Sequence, residues 1–263
     1  MDLIALLKES LLILRKEPRL FAPKMLLAAL YGFGMIVVAE LSLETLLPLV
    51  YGEPSRQAIM AMAAYFPLIL LMLLYTVLIF LVDVLVNAMY PVMIRDFKKG
   101  KKISFSSAFE FAAKKFPVVL PAMLTVFAID VVIAIPFSLV FTALILSRNI
   151  IGIWLSLLLF LVLSFVFILL FYVIYPVAVL KEKNFIAAIA GTVKIGLSNL
   201  KELSIPAIIP FLLSAINFGL AFYTRNPSIL VIFILLRFVM AIIATYHMVL
   251  NPTVYFALRG KIK

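Results

Sequence analysis

Residues 116–146 read FPVVLPAMLTVFAIDVVIAIPFSLVFTALIL, and Asp130 is the only charged residue among them. A bilayer core of about 30 Å needs about 20 apolar residues as helix. In lipid every backbone N–H and C=O must be paired within the chain, so a run of this kind reads as a helix. Its apolar residues are continuous and do not alternate, which argues against a barrel strand.

Five further runs share this character, at about 20–39, 64–94, 151–180, 203–222 and 228–257. Ser147-Arg148-Asn149 and Thr224-Arg225-Asn226-Pro227 turn the chain between neighbouring runs. Several runs exceed the minimum length, which implies tilt, kinks or protrusion. The loop from about 40 to 63 holds Glu40, Glu44, Glu53 and Pro54 and is expected to carry a short surface helix. The composition agrees with six spans. Of 263 residues 66% are apolar and 13% charged, with a mean hydropathy of +1.25. A soluble domain carries about 25% charged residues, and no water-soluble fold of this length hides so much apolar surface. Cys is absent and a single His occurs, so disulfides, thiol chemistry and His/Cys metal clusters are excluded. Phosphate loops, nucleophile elbows and HExxH motifs are also lacking, so neither enzymatic activity nor a cofactor is expected.

The chain holds 23 Lys and Arg against 12 Asp and Glu, a net charge of +11. An even number of spans puts both termini on one side. That side collects Lys8, Arg15, Lys16, Arg19 and Lys24, then Lys98, Lys99, Lys101, Lys102, Lys114 and Lys115 after the second run, then Lys194 and Lys201 after the fourth. The opposite side holds Arg56, Arg148 and Arg225. The positive-inside rule then makes both termini cytoplasmic in a multi-pass protein of the cell membrane. The same rule accounts for the basic excess without nucleic acid; its other expected use is contact with the anionic inner leaflet. Four basic residues, Lys8, Arg15, Lys16 and Arg19, interrupt the N-terminal apolar stretch, so a cleavable signal is not expected.

The chain also repeats itself. The expected units are 1–102, 103–183 and 184–263 of a single membrane domain. Each starts with an amphipathic stretch, passes two prolines, crosses twice and closes on a further proline. The proline pairs are Pro18/Pro23, Pro117/Pro121 and Pro206/Pro210; the closing prolines are Pro91, Pro176 and Pro252. Leu3, Leu7, Leu11 and Leu14 share a face of the first amphipathic stretch. Phe105, Phe109, Ala112 and Phe116 share one in the second, and Ile186, Ile189, Val193, Leu197 and Leu200 in the third. Helices of this kind, basic and too polar to span, lie in the interface. Proline breaks helix geometry, so each pair is expected to form an elbow between surface helix and span. The expected fold class is therefore all-α integral membrane: six transmembrane helices plus three cytoplasmic-side interfacial amphipathic helices, as three pseudo-repeats.

The stretch AAIAGTVKIGLSNLKEL (187–203), its proline elbow, two spans and closing Tyr-Pro resemble the membrane domain of bacterial glycerophosphodiester phosphodiesterases and related inner-membrane families of bacteria and archaea. The resemblance implies an integral membrane module. The catalytic barrel of those enzymes is absent from these residues, so the resemblance implies no hydrolase activity.

Ionisable groups at mid-membrane cost about 2.5–3.5 kcal/mol each on insertion scales, so they mark interiors or sites. Asp83, Asp130 and Arg237 lie within the runs, and Asn87 and Asn217 add amides. Asp83, Asn87 and Tyr90 share one stripe; Arg237, Ala241, Ala244, Thr245 and Asn251 form another. Two readings follow: Arg237 pairs with Asp130 or Asp83 to hold the bundle, or the cluster lines a polar cavity for a substrate or ion. His247 reads as a hydrogen-bonded structural residue. For function, the expected class is a non-enzymatic module binding lipid or a partner protein. The alternative is a transporter or an ABC-2-like exporter permease whose separate ATPase docks at 103–115.

Overall fold

The computed structural model describes residues 2–45, 56–223 and 227–259; side chains are also left undescribed over parts of 35–69 and 217–233. The described residues are helical, with no strand among them. In chain order the helices are α1 (Leu3–Lys16), α2 (Ala22–Thr45), α3 (Arg56–Lys98), α4 (Phe105–Leu146), α5 (Ile150–Phe171), α6 (Ile174–Leu180), α7 (Phe185–Ser198), α8 (Leu200–Tyr223) and α9 (Pro227–Arg259), with a 3-10 turn at Pro18–Phe21. Side-chain caps start several of them. Asp2 accepts from the Ala5 N–H at 3.1 Å, Asn149 from Gly152 at 2.9 Å, and Asn184 from Ala187 at 2.8 Å. Each cap satisfies a donor that the first helical turn leaves without a partner.

Among the described residues four helical stretches are long and apolar enough to cross a bilayer: Leu70–Lys98, Phe105–Leu146, Ile150–Leu180 and Ile234–Arg259. The bent pair α7–α8 makes a fifth if counted as one span. The fold is thus all-α and of the membrane kind. The long helices form a ring in chain order. α2 packs on α3, α3 on α4, α4 on α5, α5 on α8, α8 on α9, and α9 closes on α2. α9 also packs on α3 across the ring, and α1 lies against α9.

The buried core sits at one end of this ring. It gathers Val84–Ile94 of α3, Tyr172–Val179 and Val249–Leu258 of α9. Pro91, Pro176 and Pro252 are all buried there. Their neighbours tie the segments together. Asn87 Nδ2 donates to the Tyr175 hydroxyl at 3.1 Å, Asn251 Nδ2 donates to the Tyr172 carbonyl, and the Tyr90 hydroxyl donates to the Leu20 carbonyl at 2.8 Å. Elsewhere the long helices show large apolar side chains outward, with Val132, Leu139, Trp154, Leu155 and Leu158 all exposed. An apolar outer belt of this kind needs lipid or protein to cover it.

Several expectations need correction. The second amphipathic stretch is not a separate helix: residues 105–146 form one helix of 42 residues, about 63 Å long, twice the depth of a bilayer core. Pro117 and Pro121 lie inside α4, and Pro206 and Pro210 inside α8. The third elbow is real, a bend of 111° between α7 and α8, but it falls at Asn199. Counted back from the proline pair, Asn199 of the third unit corresponds to Glu110 of the second. Asn competes with helix through its own amide, and here its Nδ2 caps the Ile195 carbonyl at 2.9 Å; Glu favours helix. The run 151–180 is interrupted at Tyr172-Val173, between α5 and α6. The expected loop 40–63 is shorter, since α2 reaches Thr45 and α3 starts at Arg56; the helix expected in its centre lies outside the described residues.

Candidate functional site

The site is built on the first turns of α2. Lys24 is the third residue of that helix and is buried, at 7% exposure. A lone ammonium there would be costly, and a partner offsets the cost. Its Nζ stands 2.7 Å from Asp83 Oδ1 on α3. The other carboxylate oxygen accepts from Asn87 Nδ2 at 3.0 Å. Because Asn87 also donates to Tyr175, one chain of polar contacts runs from α2 through α3 to α6.

Further along the same helices, the Arg237 guanidinium of α9 lies 4.3 Å over the ring of Tyr31 on α2. The Tyr75 hydroxyl of α3 donates to the Leu30 carbonyl of α2. This contact needs a glycine at position 34, because a Cβ there would overlap the Tyr75 ring. Between the two polar levels lies a cavity of about 630 Å³. Lys24, Asp83, Arg237, Tyr31, Tyr75 and Thr76 give it polar walls, and Leu27, Ile79, Phe80, Met240, Ala241 and Ala244 line the rest.

The expected site residues divide accordingly. Asp83 and Asn87 are in contact, and Arg237 shares the cavity with Asp83, on the stripe with Ala241 and Ala244. Asp130 is elsewhere: it is exposed on α4 between the outward-facing Phe127 and Val132, with no ion pair to another described residue. The side chain of Asn217 lies outside the described residues. Neither carboxylate makes an ion pair with Arg237 among those described; Asp83 takes Lys24 instead. By sequence alone Lys24 belongs with the flanking cations. The available signal was its position four residues inside an apolar run, within a helical hairpin that also carries an acid. Tyr31 and Tyr75 gave no such signal. His247 is buried, with its ring 5.4 Å from that of Tyr172, edge to face.

A second surface concerns the amphipathic helices. α1 packs inward with Leu6, Ser10, Ile13 and Leu14; α4 with Ala108 and Ala112; α7 with Ala188, Thr192 and Gly196. Except at Leu14 and Ala112, these are not the stripes expected to be apolar faces. Those expected faces are split: Leu11, Phe109, Ile186 and Leu197 are exposed, whereas Leu7, Phe105, Phe116 and Ile189 pack partly against the core. Small inward residues allow close packing, and Gly196 is the extreme case, since a Cβ there would stand 2.8 Å from the Leu170 backbone. The expected leaflet-contacting cations flank these outer faces, and most are exposed. Two are engaged. Lys98 donates to Glu9 at 2.6 Å, and Lys115 donates to the Glu182 carbonyl at 3.0 Å.

No protein-family model, curated protein or solved structure matches this chain.

Proposed function

We propose that this chain is a non-enzymatic, six-span module of the cell membrane that binds lipid, with both termini and its three amphipathic segments on the cytoplasmic side. The observation that carries the reading is the set of large apolar side chains that those segments leave exposed. Leu11, Phe109, Ile186 and Leu197 are exposed beside lysines, on helices whose opposite sides already pack on the bundle. Apolar side chains flanked by exposed cations suit the boundary of an anionic leaflet.

Three pseudo-repeated hairpins are the second element of the proposal. Supporting them is the ring in chain order, together with the common burial of Pro91, Pro176 and Pro252. α2 and α8 then serve as the first and fifth spans. The resemblance to the membrane domain of the glycerophosphodiester phosphodiesterases accords with a module of this kind. Within the ring, the cavity beside Lys24, Asp83 and Arg237 is a polar interior suited to a bound amphiphile.

The test is purification in mild detergent followed by mass spectrometry of retained lipid, with reconstitution into vesicles of neutral or anionic lipid. Retained lipid, and a higher melting temperature in anionic vesicles, are the expected results. A lipid-free protein indifferent to vesicle charge would refute the reading.

A further inference from the structure

We propose that the exposed carboxylate of Asp130 is the docking point for a transmembrane helix of another protein, one that carries a single lysine or arginine at mid-depth. This goes beyond the lipid-binding reading and shares with it only the placement of α4 across the membrane.

Depth comes first. Lys115, the last charged residue before Asp130, stands 15 positions earlier, about 22 Å along α4; the helix runs on for 16 more, about 24 Å, to Leu146 without another charge. A hydrocarbon core of about 30 Å set anywhere between Lys115 and Leu146 therefore holds Asp130 at least about 6 Å inside either boundary. Lysine and arginine reach a boundary on long stems, whereas aspartate has one methylene and stays at the depth of its helix.

Isolation comes second. Asp130 is exposed and makes no ion pair or hydrogen bond with another described residue. Nor is it part of the lining of the cavity between α2, α3 and α9. Ionisable groups at this depth pair with one another or mark a pathway, and lipid tails offer no counter-charge. By itself the inserted chain carries that cost unrelieved; a partner offsets it.

Place and charge define the occupant. Phe127 meets Phe80 of α3, ring centroids 6.2 Å apart, and Phe137 meets Phe160 of α5 at 5.4 Å. At about 100° per residue, positions 127, 130, 134 and 137 fall within about 80° of one another. Asp130 therefore lies on the arc of α4 between its contacts with α3 and α5, with Ala134 one turn on. A helix can seat there, and a small residue lets its backbone come close. A second copy on a two-fold axis through this face would set Asp130 against its own counterpart, like charge on like. A lysine or arginine supplies the opposite charge, and the attraction at low dielectric exceeds that in water. Such a helix has the matching need, since its own cation is costly in lipid until paired.

The test reconstitutes the full chain in neutral-lipid vesicles, labelled at Ser147→Cys, and reads energy transfer to leucine-rich helices of about 20 residues. Their central residue is lysine, arginine, glutamate or leucine, and one further helix carries its lysine at the end. The central lysine and arginine helices should bind at least about 10-fold more tightly than the leucine and end-lysine helices. Asp130→Asn should remove the preference and Asp130→Glu should keep it, both at the wild-type melting temperature; Asp130→Lys should turn the preference toward the glutamate helix. Equal binding of the lysine and leucine helices, or a preference that survives Asp130→Asn, would overturn the proposal. Self-association that is lost in Asp130→Asn, without a preference for the lysine helix, would put a second copy at this face and overturn it as well. Lipid retention should be the same in Asp130→Asn as in wild type, so failure here leaves the lipid-binding reading standing.

Discussion

The Lys24 ammonium and the Asp83 carboxylate meet at 2.7 Å across 59 positions of sequence, and they join α2 to α3 at the floor of the cavity. Lys24 is buried but the Asp83 side chain is 36% exposed, so removing one partner costs less than the about 3–5 kcal/mol of a fully buried pair, whereas replacing both with apolar residues is often neutral. Lys24→Met and Asp83→Leu should each lower the melting temperature in detergent. The double variant should recover most of the loss. Simple additivity of the two losses would show that the residues do not act as a pair.

Asp130 behaves oppositely. It faces outward from α4 between exposed Phe127 and Val132. A carboxylate at mid-membrane costs about 2.5–3.5 kcal/mol on insertion scales. Asp130→Leu should therefore leave folding intact and raise the inserted fraction in a translocation assay. Reduced insertion would mean that the carboxylate has a partner within the membrane.

Gly196 sets the approach of α7 to α5. A Cβ there would stand 2.8 Å from the Leu170 backbone, and backbone cannot rotate aside. At Gly191 the nearest atoms are 3.5 Å away, an ordinary contact. Gly196→Ala should cost about 1–3 kcal/mol, as overpacking does, while Gly191→Ala should be near neutral. Thermal unfolding of the two variants side by side decides the matter.

Spin labels can find the outer faces of the amphipathic helices. Labels at Ile186 and Leu197, both exposed, should be accessible to oxygen dissolved in the acyl region. A label at Lys194 should respond to a water-soluble relaxant. Uniform exposure of all three positions to the aqueous reagent would detach α7 from the membrane.

The sequence made the helical, membrane-embedded class legible because an apolar run in lipid has few other solutions. The Asp83–Asn87 contact was legible for a similar reason, since i,i+4 neighbours on a helix must meet. Partners on different helices were harder. Choosing Lys24 over Arg237 for Asp83 depends on the depth and rotation of α2 against α3, which periodicity does not set. The amphipathic stripes are legible, but the fully buried residues of α7 are the small Ala188, Thr192 and Gly196, with Ile189 and Ile195 only partly buried beside them. Small side chains let backbones approach, and hydropathy alone does not rank that effect. The prolines misled for a related reason. Pro117 and Pro121 lie inside a continuous α4, whereas Asn199 makes the elbow.

The central claim is a bundle whose lysine-rich turns share one side of the membrane. The chain has no native cysteine, so single cysteines can report on each turn without background. The turn after α3 is probed at Lys101→Cys and the turn after α4 at Ser147→Cys, both exposed positions. With a membrane-impermeant maleimide on intact cells, position 147 should label at once and position 101 only after permeabilisation. Labelling of 101 from outside, with 147 protected, would contradict the account.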